Sequence, residues 1–204
     1  MFANRKEAGQ RLAAQLKSYH RADGAIVLGI PRGGVVVAAE VARALDLPLD
    51  IVAAAKVGAP DHPEYAVGAV APDGVVLPNP AAGLSPEEVG RLSGVALSKI
   101  RHEIATFRAG RTPLDLQGRT AILVDDGLAT GLTAMAAADW LAREGASRVV
   151  VAVPVAPPNT LATMSSHVDE VVAVEVPAWF SAVGQFYNDF SQTEDAEVVA
   201  LLSE

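Results

Sequence analysis

Residues 121–133 read Ala121-Ile122-Leu123-Val124-Asp125-Asp126-Gly127-Leu128-Ala129-Thr130-Gly131-Leu132-Thr133, and this window decides the fold. An unbroken apolar run over 121–124, in a strand predicted over 120–124, is the pattern of a strand covered on both faces, which belongs in a parallel sheet. The strand ends in two adjacent carboxylates. A loop of small residues follows and opens a helix predicted over 133–144. Free N–H groups at a helix start, helped by the dipole, bind phosphate. The Thr130 and Thr133 hydroxyls add donors, and Gly131 lets an anion approach the backbone. Two carboxylates would repel a bare phosphate but suit a sugar diol, whose hydroxyls donate hydrogen bonds. A ligand with a ribose and a terminal phosphate satisfies both halves.

Outward from this window the chain keeps the same alternation. Further strands are predicted over 25–30, 50–55, 148–155 and 171–176. Helices are predicted over 4–19 (capped by Asn4, with Glu7 three residues on), 35–45, 85–107, 159–166 and from a Thr193 cap to 202. Strands alternating with helices give an α/β chain with a doubly wound, mostly parallel sheet. Residues 58–83, rich in proline and glycine, read as a long loop with one hairpin near 65–70 and 74–77. Residues 177–191 read as irregular and aromatic.

The whole chain of 204 residues reads as a single domain, with a core over about 20–176. Cysteine is absent, which excludes disulfides, thiolate catalysis and cysteine zinc sites. Sixteen Lys and Arg against 24 Asp and Glu give a net charge of −8. Non-specific nucleic-acid binding, which rests on phosphate neutralisation, is therefore not expected. No apolar run is long enough for a membrane span, and the N-terminus lacks a signal-peptide h-region. The expected location is cytoplasmic. The glycines at 29–34 do not form G-x-G-x-x-G, and no G-x-x-x-x-G-K-[ST] occurs. His102-Glu103 lacks the second histidine of a zinc helix and reads as surface charge.

The window 121–133 resembles the PRPP-binding motif of the type I phosphoribosyltransferases, where PRPP is 5-phosphoribosyl 1-diphosphate. The resemblance implies that Asp125 and Asp126 hold the ribose hydroxyls and that Ala129, Thr130, Gly131, Leu132 and Thr133 hold the 5′-phosphate. Gly29-Ile30-Pro31-Arg32-Gly33-Gly34 resembles the family's pyrophosphate loop. That implies pyrophosphate contacts from Pro31, Arg32, Gly33 and Gly34, and a cis peptide at Pro31–Arg32. Lys56, at the end of the second predicted core strand, takes the place of a basic pyrophosphate contact.

The same resemblance makes residues 57–83 a flexible lid, whose Glu64 and His62 are candidate general acid/base groups. It makes residues 177–191 a small hood in which Trp179, Phe180, Tyr187 and Asp189 meet the base. The implied cofactor is Mg2+, carried mainly by PRPP and water, with Asp125, Asp126 and Asp189 as further candidate ligands. The implied activity is phosphoribosyl transfer to a nitrogenous base, purine-like rather than pyrimidine, in a homodimer. Two departures leave the base open. Ala129 stands where 6-oxopurine enzymes have an aspartate, and Val153-Pro154-Val155-Ala156 lacks their lysine before the hood. The alternative is a PRPP- or nucleotide-sensing protein of the same fold without turnover.

Overall fold

The computed structural model describes residues 1–113 and 115–203. Five strands form the central sheet: β1 (Ala25–Gly29), β2 (Leu49–Ile51), β6 (Thr120–Val124), β7 (Arg148–Val155) and β8 (Glu170–Glu175). All neighbouring pairs are parallel, in the order β2-β1-β6-β7-β8. The apolar runs explain this arrangement, because each strand has two faces to cover. Ile26, Leu28, Ala121, Leu123, Val149 and Val151 face one layer, which includes α5 (Leu132–Arg143). Val27, Ile122, Val124, Val150 and Ala152 face the other, which includes α1 (Arg5–Gln15) and α2 (Gly33–Leu45). Alternate residues of one strand thus serve opposite cores. Truncating Ile122 or Leu123, both almost fully buried, would cost about 2–5 kcal/mol in either layer.

The second predicted core strand is corrected. Residues 50–55 are not one element. β2 ends at Ile51, and β3 (Ala55–Gly58) starts a separate antiparallel sheet with β4 (Ala66–Val70) and β5 (Val76–Pro78). Lys56 therefore lies on the second sheet rather than at the end of a core strand. The hairpin expected near 65–77 is present as β4 and β5, and β3 joins it, so the segment expected as a long loop carries a three-stranded sheet with turns between its strands. Prolines at 60, 63, 72, 78 and 80 masked it. Four of them fall outside the strands, and Pro78 ends β5. The tip between β3 and β4 is a turn closed by the Ala59 N–H to the Tyr65 carbonyl at 3.0 Å, and a second turn joins β4 to β5 with the Gly74 N–H on the Ala71 carbonyl at 3.0 Å.

This small sheet packs its Val57, Val67 and Val70 against Val89 of α3 (Pro86–Leu92) and Ile100 of α4 (Gly94–Arg108). The single helix predicted over 85–107 breaks at Ser93, whose hydroxyl donates to the Gly90 carbonyl at 2.8 Å. The capping box at Ser85 and Glu88 forms as its sequence implies. α6 (Pro158–Met164) precedes β8, and α7 (Asp195–Leu202) docks on α4 and α2. The cap of α7 is Glu194 and not Thr193, which is buried beside it. Among the described residues no helix is long and apolar enough to cross a membrane.

Candidate functional site

In an open parallel sheet a ligand crevice forms beyond the carboxyl ends of the strands, where the strand order reverses. Here the chain runs outward from β1 to β2 and then returns to the other side of β1 with β6. The reversal point lies between β1 and β6. The loops leaving these two strands are residues 30–33 and 125–131, and they meet there.

The meeting is close. A methyl added to Gly34 would fall 2.9 Å from the Asp125 Cα and 2.9 Å from the Val124 carbonyl oxygen. A methyl on Gly33 would strike the Asp126 carboxylate and lie 2.6 Å from Arg5 Nε. The two glycines are thus required as much by the acid pair behind them as by a ligand in front. The Pro31–Arg32 peptide is cis, as the resemblance implied.

Asp125 and Asp126 leave β6 side by side. Asp125 Oδ1 accepts the Asp126 N–H at 2.8 Å. Asp126 Oδ2 accepts from Arg5 Nε at 2.8 Å, with both side chains mostly buried. One oxygen of each carboxylate remains without a protein donor among the described residues. Burial pushes the Asp125 carboxyl well above its ordinary range, and the Asp126 charge beside it adds to this. Burial also raises Asp126, while the Arg5 guanidinium pulls it back. The Arg5 guanidinium thus opposes the rise more strongly at Asp126, its direct partner, than at Asp125.

Arg5 is held from three sides. Its Nη1 donates to the Ser191 carbonyl at 2.7 Å. Its guanidinium lies 4.0 Å from the centre of the Phe190 ring. Asn4 caps α1 by accepting the Glu7 N–H at 3.0 Å, which fixes the first helical turn where Arg5 sits. Sequence reading did not select Arg5, because a partner 121 residues away leaves no local spacing signal.

The small-residue loop wraps a cavity of about 140 Å³ lined by Asp125, Ala129, Thr130, Gly131, Leu132 and Thr133, among others. Gly131 has φ +75°, a left-handed turn at the start of α5, and a methyl there would meet Thr160 Cγ2 at 2.9 Å. Thr160 Oγ1 donates to the Ala129 carbonyl at 2.6 Å and pins the loop from α6. It is a second residue that sequence reading missed. All five predicted phosphate-loop residues are brought together.

The two cations expected at pyrophosphate each lie beside a carboxylate. Arg32 Nη1 is 3.2 Å from Asp195 Oδ1 on α7. Lys56 Nζ is 3.1 Å from Glu64 Oε2 and 3.2 Å from the Glu64 carbonyl. The Glu64 side chain is fully exposed, and His62 is exposed on the same turn. Glu103, expected as surface charge, is 5% exposed. It faces inward from α4 with Lys99 Nζ 3.6 Å from its Oε1.

In the hood, Tyr187 is buried between Phe2 and Phe190, with ring centres 5.3 and 5.0 Å away. Its hydroxyl donates to the Asp126 carbonyl at 2.6 Å, and burial raises its pKa. Phe180 stacks on Phe186 at 5.4 Å. Trp179 is 90% exposed. Asp189 accepts the Ser191 N–H at 3.0 Å, which lowers its carboxyl, and it lines a neighbouring cavity with Asn4, Arg5 and Lys6. Among the described residues no three His, Asp or Glu side chains gather as a metal cage.

The acid pair and the small-residue loop thus meet at the reversal point of a parallel sheet. Comparison with known proteins gives the family. The phosphoribosyl transferase domain model matches residues 2–191, and the chain belongs to that family. It is 42% identical over 206 residues, 99% of its length, to the Mycobacterium tuberculosis (strain ATCC 25618 / H37Rv) protein named "Putative phosphoribosyl transferase Rv0571c". The match covers 46% of that protein, so the chain spans about half the length of the curated relatives it matches. It is also similar to the crystal structure of TT1426 from Thermus thermophilus, with 42% identity and a TM-score of 0.82. That likeness covers 98% of this chain and 97% of the other. A shorter likeness, 37% over 81 residues, links it to a uracil phosphoribosyltransferase of Bifidobacterium longum subsp. infantis. It covers 40% of this chain and 37% of that protein.

Proposed function

We propose that this chain binds PRPP and transfers its 5-phosphoribosyl group to a nitrogenous base with release of pyrophosphate. The supporting observation is the pair of carboxylate oxygens, one on Asp125 and one on Asp126, left without protein donors among the described residues beside the 129–133 cavity. Two adjacent acceptors match the two donors of a vicinal diol, and the α5 start matches the 5′-phosphate. The ribose is thereby fixed at both ends, which leaves C1 directed toward the 31–34 loop. In the reaction the C1–oxygen bond to pyrophosphate breaks and a C1–nitrogen bond forms with inversion. The backbone N–H groups of Gly33 and Gly34 would meet the leaving charge.

Glu64 and His62 would handle the proton of the incoming base once the lid tip covers the site. Trp179 and Phe180 would meet the base itself. A purine-like base is preferred for the width of an aromatic hood, in a homodimer.

Magnesium fits the donor set only in a shared manner. The protein offers two hard carboxylate oxygens and, among the described residues, no cage. The diphosphate oxygens and water would therefore complete the shell, with Asp125 and Asp126 nearby. Asp189 would join only by leaving the Ser191 N–H. When bound, the ion would screen the diphosphate charge.

The test is thermal unfolding with Mg-PRPP for the parent and for Asp125→Asn/Asp126→Asn, followed by pyrophosphate release across a panel of bases. A ligand at about 100 times its Kd adds roughly 2.7 kcal/mol. A shift in the parent that disappears in the folded double variant, with base-dependent release, is expected. An equal shift in both would overturn the ribose assignment. Binding without release for any base would leave a donor-sensing protein.

A further inference from the structure

Asp126 is fastened twice, once by its side chain and once by its main chain. Its Oδ2 accepts from Arg5 Nε at 2.8 Å. Its carbonyl accepts from the Tyr187 hydroxyl at 2.6 Å. The residues that follow it are confined as well. A methyl on Gly127 would come within 2.6 Å of Val183 Cγ1 and 3.0 Å of Val155 Cγ1. The Leu128 N–H donates to the Val155 carbonyl at 2.9 Å. The hood and the end of β7 therefore hold the backbone just beyond the acid pair.

Tyr187 is itself locked in place. It is 6% exposed, and its ring packs between Phe2 and Phe190. The Phe2 N–H on the Phe186 carbonyl and the Asn188 N–H on the Phe2 carbonyl bracket it in the chain. Phe190 also carries the Arg5 guanidinium, 4.0 Å from its ring centre, so both supports of Asp126 lean on one aromatic side chain. A phenylalanine would fill the same space as Tyr187. What the tyrosine adds is a buried hydroxyl, which needs a polar partner, and the hydrogen bond it makes goes to Asp126.

We propose that Tyr187 and Arg5 are positioning residues for the ribose: neither touches the sugar, and together they fix the direction in which Asp126 presents its remaining carboxylate oxygen. The inference rests on the PRPP reading above. It goes beyond that reading by giving a hood tyrosine a task at the sugar in place of a contact with the base. Groups that recognise a ligand must be held to within about 0.5 Å by the residues behind them. Tyr187 supplies that hold on the main chain of Asp126, and Arg5 supplies it on the side chain.

The experiment is a titration followed by amide NMR shifts, with ribose 5-phosphate and inorganic phosphate as the two probes. Inorganic phosphate samples the 129–133 loop without the diol. The chains compared are the parent, Tyr187→Phe, Arg5→Lys and Tyr19→Phe. The last is a control: it also loses a tyrosine hydrogen bond of 2.6 Å, to Glu170, at the opposite edge of the sheet where β8 begins. Tyr187→Phe is expected to weaken ribose 5-phosphate by about ten-fold, the scale of one lost hydrogen bond, with inorganic phosphate unchanged. Arg5→Lys keeps the charge but not the fork that reaches both Asp126 and Ser191, and should show the same selective loss. Tyr19→Phe should bind both probes as the parent does.

Parent-like ribose 5-phosphate affinity in either folded variant overturns the role of that residue. An equal loss for both probes also overturns it, since that marks a general loosening that a merely structural contact would produce. Should Tyr187→Phe not fold, Arg5→Lys decides alone. If the folded parent binds ribose 5-phosphate no better than inorganic phosphate, the ribose assignment itself fails, and this proposal with it.

Discussion

Gly34 lies with its bare Cα against Asp125, so closely that a methyl would come within 2.9 Å of the Asp125 Cα and its Oδ1. The obstacle on the Asp125 side is largely backbone, which cannot swing away. Gly34→Ala is expected to lose about 2 kcal/mol from this overpacking, read as a lower urea midpoint at constant slope. Gly33→Ala meets side-chain atoms of Asp126 and Arg5 instead. It should lose less stability but more ribose 5-phosphate affinity, because the ion pair must move. Equal stability losses at the two positions would contradict this packing.

Asp125 makes stability fall with pH. Its folded carboxyl titrates above its unfolded value, so the folded chain holds the proton more tightly. Stability is then greatest below the unfolded pKa of about 3.9 and declines as pH rises through the raised folded value. Asp125→Asn keeps an acceptor for the Asp126 N–H and removes the charge. It should be more stable than the parent at pH 8, on the order of 1 kcal/mol, with the gap closing toward pH 4. The same variant should lose ribose binding. A gap of constant size across pH would dismiss the burial argument.

Arg5→Met should behave in the opposite sense to a neutral surface change. It leaves Asp126 buried without its cation, which costs about 3 kcal/mol when the carboxylate is ionised. The Asp126 carboxyl should rise further, so the loss should shrink as pH falls through its titration. Chemical denaturation at pH 8 and pH 4.5 checks this. The same loss at both values would show that Arg5 acts by packing on Phe190 rather than by charge.

Thr160→Val removes the hydroxyl that fastens the Ala129 carbonyl while keeping the methyl near Gly131. The expected cost is about 1 kcal/mol of stability. Affinity for ribose 5-phosphate should fall further than stability does, because the loop loses its preorganisation. Calorimetry on the folded variant, with unchanged ribose 5-phosphate affinity as the contrary result, decides it.

Much of the core and of the strand–loop–helix course of the 121–133 window was legible in the sequence, because both are local. The window 121–133 carries strand, acids, loop and helix start in one continuous run. What escaped was set by distance or by composition. Arg5 and Thr160 act on partners 121 and 31 residues away, beyond any spacing rule. β3 escaped because Ile51 and Ala55 read as one apolar run, yet they belong to different sheets. Glu103 escaped because a glutamate next to His102 on a charged helix looks solvated, and only the packing of α4 and α7 shows otherwise.

Phe2 bridges in parallel to Tyr187: its N–H donates to the Phe186 carbonyl at 2.7 Å, and its own carbonyl accepts the Asn188 N–H at 2.8 Å. The ribosome makes the first of these partners nearly two hundred residues before the other. Throughout synthesis the leading segment must wait, unpaired, for the hood to emerge. Because Tyr187 also fastens Asp126 and Ser191 fastens Arg5, the acid pair receives its final supports only at that moment. A nascent chain can complete its parallel sheet and still hold an acid pair without its supports.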